Sequence, residues 1–314
     1  YLNNAGREIT IDHTTAYGLI TLKDSPSSPP ATFTNADKIT IGAIALQLIG
    51  LLNGDGSTFN NNTGGEIKID RSTNTGLSND VGGTFNNAAT ITIGATASVG
   101  LYGLKNAAAF NNSGGEINID NATEAGLENT DAGGTFNNTA KIIIGAIASV
   151  GHTGLNNRAT FNNNTGGEIT INRITSIGLN NSVGSTFTNA AKIMIGTMIP
   201  TLANGIYNSS VFINNAGGEI TIDHTTAHGL HSKKIIPSAP TATFTNAGKI
   251  AFGSTAALGS RGLYNGDGSA FNNNTGGEIT IDRSTDIGLL NDAGGIFTNA
   301  AKITIGALAS VGVR

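Results

Sequence analysis

The sequence contains no cysteine, which excludes disulfide staples and thiolate metal sites. It has no tryptophan, and aromatic residues make up only 5% of it, so platforms for sugar stacking are few. Charged residues amount to 12%, interspersed in sign with a net charge of −4, which leaves no basic stripe to neutralise a phosphate backbone. Nucleic acid is therefore not an expected partner. No apolar run approaches the roughly 20 residues of a membrane span. No signal peptide opens the chain, as holds also for any mature fragment. There are six prolines, three of them between Lys23 and Ala31, where they bar strand pairing and mark a protruding loop.

Glycine and asparagine are abundant, a composition that suggests disorder until the spacing of the apolar residues is considered. An apolar anchor recurs at Leu2, Phe33, Phe59, Phe85, Phe110, Phe136, Phe161, Phe187, Phe212, Phe244, Phe271 and Phe297, mostly 25 or 26 residues apart. Two residues after each anchor stands an asparagine: Asn4, Asn35, Asn61, Asn87, Asn112, Asn138, Asn163, Asn189, Asn214, Asn246, Asn273 and Asn299. A period of this length is the signature of a solenoid, whose coils each bury a face on their neighbours. Between these marks lies an Ile-x-Ile segment, from Ile9/Ile11 to Ile303/Ile305, with strict alternation of the half-buried strand type. The expected fold is all-β, one continuous parallel β-solenoid over residues 1–314, with twelve three-strand coils of about 26 residues.

Two coil types alternate. At the outward start of the central strand, A coils carry Glu8, Glu66, Glu116, Glu168, Glu219 and Glu278; B coils carry Lys38, Thr90, Lys141, Lys192, Lys249 and Lys302. Stacking gives a file of alternating sign that fixes register, because a one-coil slip sets like charges opposite each other. At the end of that strand, Asp12, Asp70, Asp120, Asn172, Asp223 and Asp282 of A coils face glycine in B coils, which keeps carboxylates two coils apart. The asparagines after the anchors are expected at bends, bonding the coils above and below as ladders; Asn137 beside Asn138 is expected to be exposed. A second asparagine file runs from Asn53 to Asn291. Gly76, Gly103, Gly126, Gly154, Gly178, Gly205, Gly229, Gly262 and Gly288, which precede the third strand, are expected to supply positive φ.

A longer period overlies the short one. Asp223-His224-Thr225-Thr226 and its proline loop repeat Asp12-His13-Thr14-Thr15 about 211 residues later, so eight coils form one block. The matching insertions are placed at 20–31 and 231–242. Tyr1-Leu2-Asn3-Asn4 aligns with Val211-Phe212-Ile213-Asn214, and Val311-Gly312-Val313-Arg314 falls inside a third strand, which suggests a segment of a longer array.

The F-x-N, G-G-E-I-x-I and G-L-x-N elements resemble the right-handed parallel β-helix repeats of bacterial surface proteins, the adhesin and filamentous-haemagglutinin-type stalks of the pectin-lyase-like superfold. The resemblance covers the whole chain. It implies secretion to the cell surface or beyond, a stalk or fibre role in adhesion or a biofilm matrix, and partners that are other copies or further repeats of the same protein. A cell-surface or matrix ligand is a further implied partner. No catalytic motif of the family's lyases matches. The carboxylates recur at one position per A coil, as structural residues do, so no catalytic, cofactor or metal residue is assigned.

Several functional alternatives meet specific obstacles. The outward middle file holds threonines (Thr10, Thr40, Thr92, Thr170, Thr221, Thr280, Thr304), as an ice-binding face does, but interrupts them with Lys68, Asn118, Ile143, Met194 and Ala251. His224, His228 and His231 beside Lys233 and Lys234 form the one irregular titratable cluster; its counterpart reads His13, Tyr17 and Ile20, so it is read as a solvated loop. Asn53-Gly54-Asp55-Gly56 and Asn265-Gly266-Asp267-Gly268 offer one carboxylate per turn, too few for calcium. Sequons of the NNT and NNS kind arise by chance in so asparagine-rich a chain. The expectation is a non-enzymatic extracellular fibre or adhesin stalk, with an ice-binding solenoid or a polysaccharide-acting β-helix enzyme as alternatives.

Overall fold

In the computed structural model, all residues are described except 24, 26, 46, 131–132, 198–201 and 313–314, and Leu202 is described by its backbone alone. The described residues form strands and turns with no helix. They divide into two compact units, Tyr1–Gly151 and His152–Arg314. Each unit consists of three parallel sheets, because every coil sends one strand into each. In the first unit the first strands run in chain order from Leu2–Asn3 to Thr135–Asn138, the second from Glu8–Ile11 to Lys141–Ile144, and the third from Tyr17–Thr21 to Ala125–Asn129. In the second unit the corresponding sets run from Thr160–Asn163 to Ile296–Asn299, from Glu168–Ile171 to Lys302–Ile305, and from Thr153–Asn157 to Ile287–Asn291. Twelve coils are thus entered. The proposed third strand of the twelfth ends on residues 313–314, outside the described residues.

The alternation of the central strand decides its orientation. Residues such as Ile67, Ile69, Ile91 and Ile93 point inward and are wholly buried, while the residues between them stay half-exposed. Each stacks on its own kind: Ile67 on Ile91, Ile69 on Ile93. Full burial of one such side chain contributes about 1.5–3 kcal/mol, so each coil adds its own share of core.

The third-strand glycines are required by space rather than by handedness. Gly76, Gly103 and their equivalents lie within regular strands, and none adopts positive φ. A Cβ on Gly76 would stand 2.5 Å from Ile93 Cγ2 and 2.7 Å from the Gly103 carbonyl oxygen of the next coil. In the second unit, a Cβ on Gly178 would stand 2.5 Å from Ile195 Cγ2 and 2.6 Å from the Gly205 oxygen. The central-strand isoleucines reach across the coil and rest on glycine backbone, which makes the interior thin. Positive φ appears instead one residue past the central strand, at Gly42, Gly94, Gly145, Gly196, Gly253 and Gly306 of the B coils.

The first coil corrects the sequence register by one residue. Leu2 pairs with Thr34 and Asn3 with Asn35, so Tyr1 occupies the anchor position and stacks on Phe33 with ring centroids 4.9 Å apart. Leu2 and Asn4 are exposed and belong to no ladder, while Asn3 is buried. The reason is the turn length: five positions separate Asn3 from Glu8, as they separate Asn61 from Glu66 and Asn214 from Glu219. The third strands also extend to Thr21 and Ser232, and the strand after the second insertion starts at Ala242. The connecting segments therefore begin after Thr21 and Ser232.

Candidate functional site

The phenylalanines form one interior column in each unit. From Phe33 to Phe136, successive rings lie 4.6–4.8 Å apart and within 8° of parallel. From Phe161 to Phe297 the spacing is 4.6–5.2 Å. These distances match the rise between parallel strands, so the rings stack because the backbone does.

The anchor asparagines end the first strand of each coil and face inward. Their amides would be costly there without partners. Within each unit, every one before the last donates from Nδ2 to the Oδ1 of the next coil. In the first unit the chain runs Asn3, Asn35, Asn61, Asn87, Asn112, Asn138, at 2.8 Å per step. In the second it runs Asn163, Asn189, Asn214, Asn246, Asn273, Asn299, at 2.7–2.8 Å. The third strands carry further ladders, from Asn53 to Asn129 in one unit and from Asn157 through Asn181 to Asn208 in the other. Asn208 then donates to Ser232 Oγ, the serine replacing asparagine in the ninth coil. Asn137 is not free in solvent: its amide donates to Asn111 Oδ1 at 3.0 Å in an outer ladder that includes Asn60 and Asn86. That outer ladder donates toward the preceding coil, opposite to the inner one.

The Glu/Lys file pairs Glu8 with Lys38 and Lys38 with Glu66, and Glu66 with Thr90, in register. In the second unit it runs Glu168, Lys192, Glu219, Lys249, Glu278, Lys302. Lysine reaches the glutamate of the preceding coil at 2.9 Å for Lys38–Glu8, 3.5 Å for Lys141–Glu116, 3.8 Å for Lys249–Glu219 and 3.0 Å for Lys302–Glu278. The hydrogen bond and charge of Lys302 hold the Glu278 carboxyl below its ordinary pKa, and those of Glu8 raise Lys38. The pairs are solvent-exposed, where ion pairs add little stability.

A clamp that sequence reasoning missed closes the corner after the central strand. The A-coil aspartate is buried at Asp70, Asp120, Asp223 and Asp282 and half-buried at Asp12, and one carboxylate oxygen accepts two successive backbone N–H groups from the next B coil. Asp70 holds Thr96 and Ala97 at 3.0 and 3.2 Å, Asp120 holds Ile147 and Ala148 at 2.9 Å, and Asp282 holds Leu308 and Ala309 at 2.9 and 3.3 Å. The following residue adopts left-handed backbone, with φ between 51° and 59° at His13, Arg71, Asn121, Arg173, His224 and Arg283. Its side chain turns back to the preceding B coil. Arg283 donates to the Gly253 and Ser254 carbonyls at 2.6 and 2.7 Å, Asn121 donates to the Gly94 carbonyl at 2.7 Å, and the His224 ring bonds the Gly196 carbonyl at 2.6 Å. The A coils of Asp70, Asp120, Asp223 and Asp282 are thereby tied forward by the aspartate and backward by the residue after it. The sequence signal was present in the Asp-Arg, Asp-His and Asp-Asn dipeptides opposite glycine.

The histidine group separates. His224 belongs to the corner clamp, whereas His228 and His231 lie within the strand Thr225–Ser232, part-buried against Tyr264, with centroid distances of 5.3 and 4.5 Å. These two are not loop residues. Burial first, then Arg261, holds His228 below its ordinary pKa; burial, then His228, Lys233 and Arg261, brings His231 down to about 4. Among the described residues, no three His, Asp or Glu side chains gather as metal ligands. Of the two Asn-Gly-Asp-Gly segments, Asn53 and Asn265 are ladder members, each accepting a serine hydroxyl, from Ser57 and Ser269, at 2.8 Å.

No family model and no curated protein sequence matches the chain. Among solved structures it is similar to that titled "Crystal structure of TibC-catalyzed hyper-glycosylated TibA55-350 fragment", over 98% of this chain and 95% of that one. The identity is 14% and the TM-score 0.36. Values this low transfer no property of that protein to this chain, which stands on its own geometry as an all-β parallel solenoid.

Proposed function

We propose that the chain is a non-enzymatic structural element of an extracellular or cell-surface fibre or adhesin stalk, joined to further coils or copies end to end or in bundles. The observation that carries this reading is like-on-like stacking between successive coils, as in Phe59 on Phe85, the Asn61 amide on Asn87 and Ile67 on Ile91. Such contacts use the periodic residues to lengthen a rod, and the alternating charge file and corner clamps keep that rod in register. Electron microscopy of the native assembly tests the proposal. Long thin fibres or surface-anchored rods are expected; dispersed single particles that bind ice or cleave polysaccharide would overturn it.

A further inference from the structure

One patch escapes the repeat. On the outer side of the third sheet of the second unit, Asn204 and Tyr207 of the eighth coil pair in register with His228 and His231 of the ninth, and these with Arg261 and Tyr264 of the tenth. At the equivalent places of the earlier block, the first two coils carry Tyr17 and Ile20, then Ile49 and Leu52, also in register. The same backbone is therefore built there with mostly aliphatic side chains, and the fold does not demand the polar ones.

These residues interlock. The His231 ring stacks on Tyr264 and meets Tyr207 edge-on at 5.0 Å, and His228 meets His231 edge-on at 5.1 Å. The Arg261 guanidinium lies 4.7 Å from the Tyr264 ring centroid, and the Tyr264 hydroxyl donates to Asp292 Oδ2 at 2.7 Å. Asp292 is thus occupied at the rim. Yet Asn204 Oδ1, His231 Nε2 and Arg261 Nε are buried without a hydrogen-bond partner, and His228 Nδ1 has none of full geometry, with only the Ala227 backbone acting on its ring. Buried polar atoms of this kind cost free energy until something satisfies them, and these are concentrated on three adjacent strands.

We propose that this patch binds an oxyanion, a carboxylate or sulfate group. Arginine and histidine N–H groups are donors suited to such oxygens, and an asparagine amide turned about its last torsion offers its NH2 where Oδ1 stands. A metal cation is disfavoured by the Arg261 charge beside both imidazoles. Lys233, two residues past His231, adds positive charge, and the nearby Asp267 acts in the opposite sense on Tyr264. Bound anion favours protonated imidazole, so binding takes up a proton. A rise of about two units in the His231 pKa makes binding about tenfold tighter at pH 5 than at pH 7.5.

The test is an NMR titration of the His228 and His231 ring signals in the full chain, at constant ionic strength, with sodium sulfate, sodium acetate and dextran sulfate in separate arms. The variant is Arg261→Ile, which installs the residue found at the equivalent position of the second coil; His231→Ile, its counterpart from the first, is the second variant. Circular dichroism confirms that each folds. Saturable shifts with a small anion, stronger at pH 5 and lost in Arg261→Ile, support a site for the free group. Shifts with dextran sulfate alone that Arg261→Ile removes assign the group to a polymer. No saturable shift in any arm, or shifts that survive Arg261→Ile, would overturn the site.

Discussion

Replacing Gly76 by alanine puts a methyl group where the next coil already has atoms. The new Cβ would lie 2.5 Å from Ile93 Cγ2 and 2.7 Å from the Gly103 carbonyl oxygen. The side chain can rotate, but the oxygen belongs to a strand held on both edges, so relief requires opening the third sheet between two coils. Overpacking of this kind costs about 1–3 kcal/mol. Gly114 provides the control within the same unit: its nearest atom to a built Cβ is the Ala88 oxygen at 3.8 Å, and its φ is not left-handed. There alanine should stabilise by about 0.4–1 kcal/mol, through the unfolded state. Because a repeat array opens locally, the assay is amide hydrogen exchange across the third strands of coils three to five, supported by urea unfolding. The order of substitutions separates the two explanations of the glycine. If left-handed backbone were the requirement, asparagine would be better tolerated than alanine; if space is, Gly76→Asn must be worse than Gly76→Ala. Equal protection in Gly76→Ala and Gly114→Ala, or recovery with asparagine, would refute the close-packing argument.

Other expectations follow from the same geometry. Asn87→Leu breaks two inner ladder bonds and should cost about 1–3 kcal/mol, more than Asn86→Leu on the half-exposed outer ladder; comparing urea midpoints checks the order. Glu219→Lys, placed between Lys192 and Lys249, should lower the melting temperature more than Glu219→Gln, and the gap should narrow in high salt as screening increases; a salt-independent gap would count against the stacked file. Arg283→Val puts a β-branched residue at φ 54° and removes both carbonyl bonds, so a loss of about 1–3 kcal/mol is expected, with Arg283→Asn milder. The folded pKa of His231 lies near 4, below the ordinary 6.5. The unfolded chain then binds more protons between those values, so stability falls as pH drops from about 6.5 to about 4. His231→Ile should flatten that part of the pH–stability curve, and an unchanged slope would show that other groups produce it.

The period, the strand alternation and the alternation of coil types were legible in the sequence because each depends on spacing along one chain. The register of the first coil was not, because counting from an apolar residue admits Leu2, whereas counting back from Glu8 selects Asn3. Glycine before the third strand was visible, but its cause lies across the coil in Ile93 and its equivalents, a contact that depends on how thin the interior is. The aspartates were read through their charge alone. Their backbone partners lie one coil away, and only the corner geometry shows that Asp70 faces Thr96 and Ala97. The patch around His231 was the hardest to read, since residues that break a repeat carry no periodic signal and their contacts join three separate coils.

The corner clamp also bears on how such a gene can change length. An A coil such as that of Asp70, Asp120 or Asp282 reaches forward with its aspartate and backward with the arginine or asparagine that follows, and both reaches end on B-coil backbone. Deleting a single B coil would leave two A corners adjacent, one carboxylate facing a corner built for another carboxylate, and the glycine that opens the B turn would be missing; deleting a single A coil would leave two B turns adjacent, one of them without its carboxylate. Loss or gain of a coil pair leaves every clamp matched. Unequal recombination across these repeats should therefore survive in even steps, and natural length variants should differ by pairs of coils, with odd-numbered alleles purged at the folding step before any function is tested.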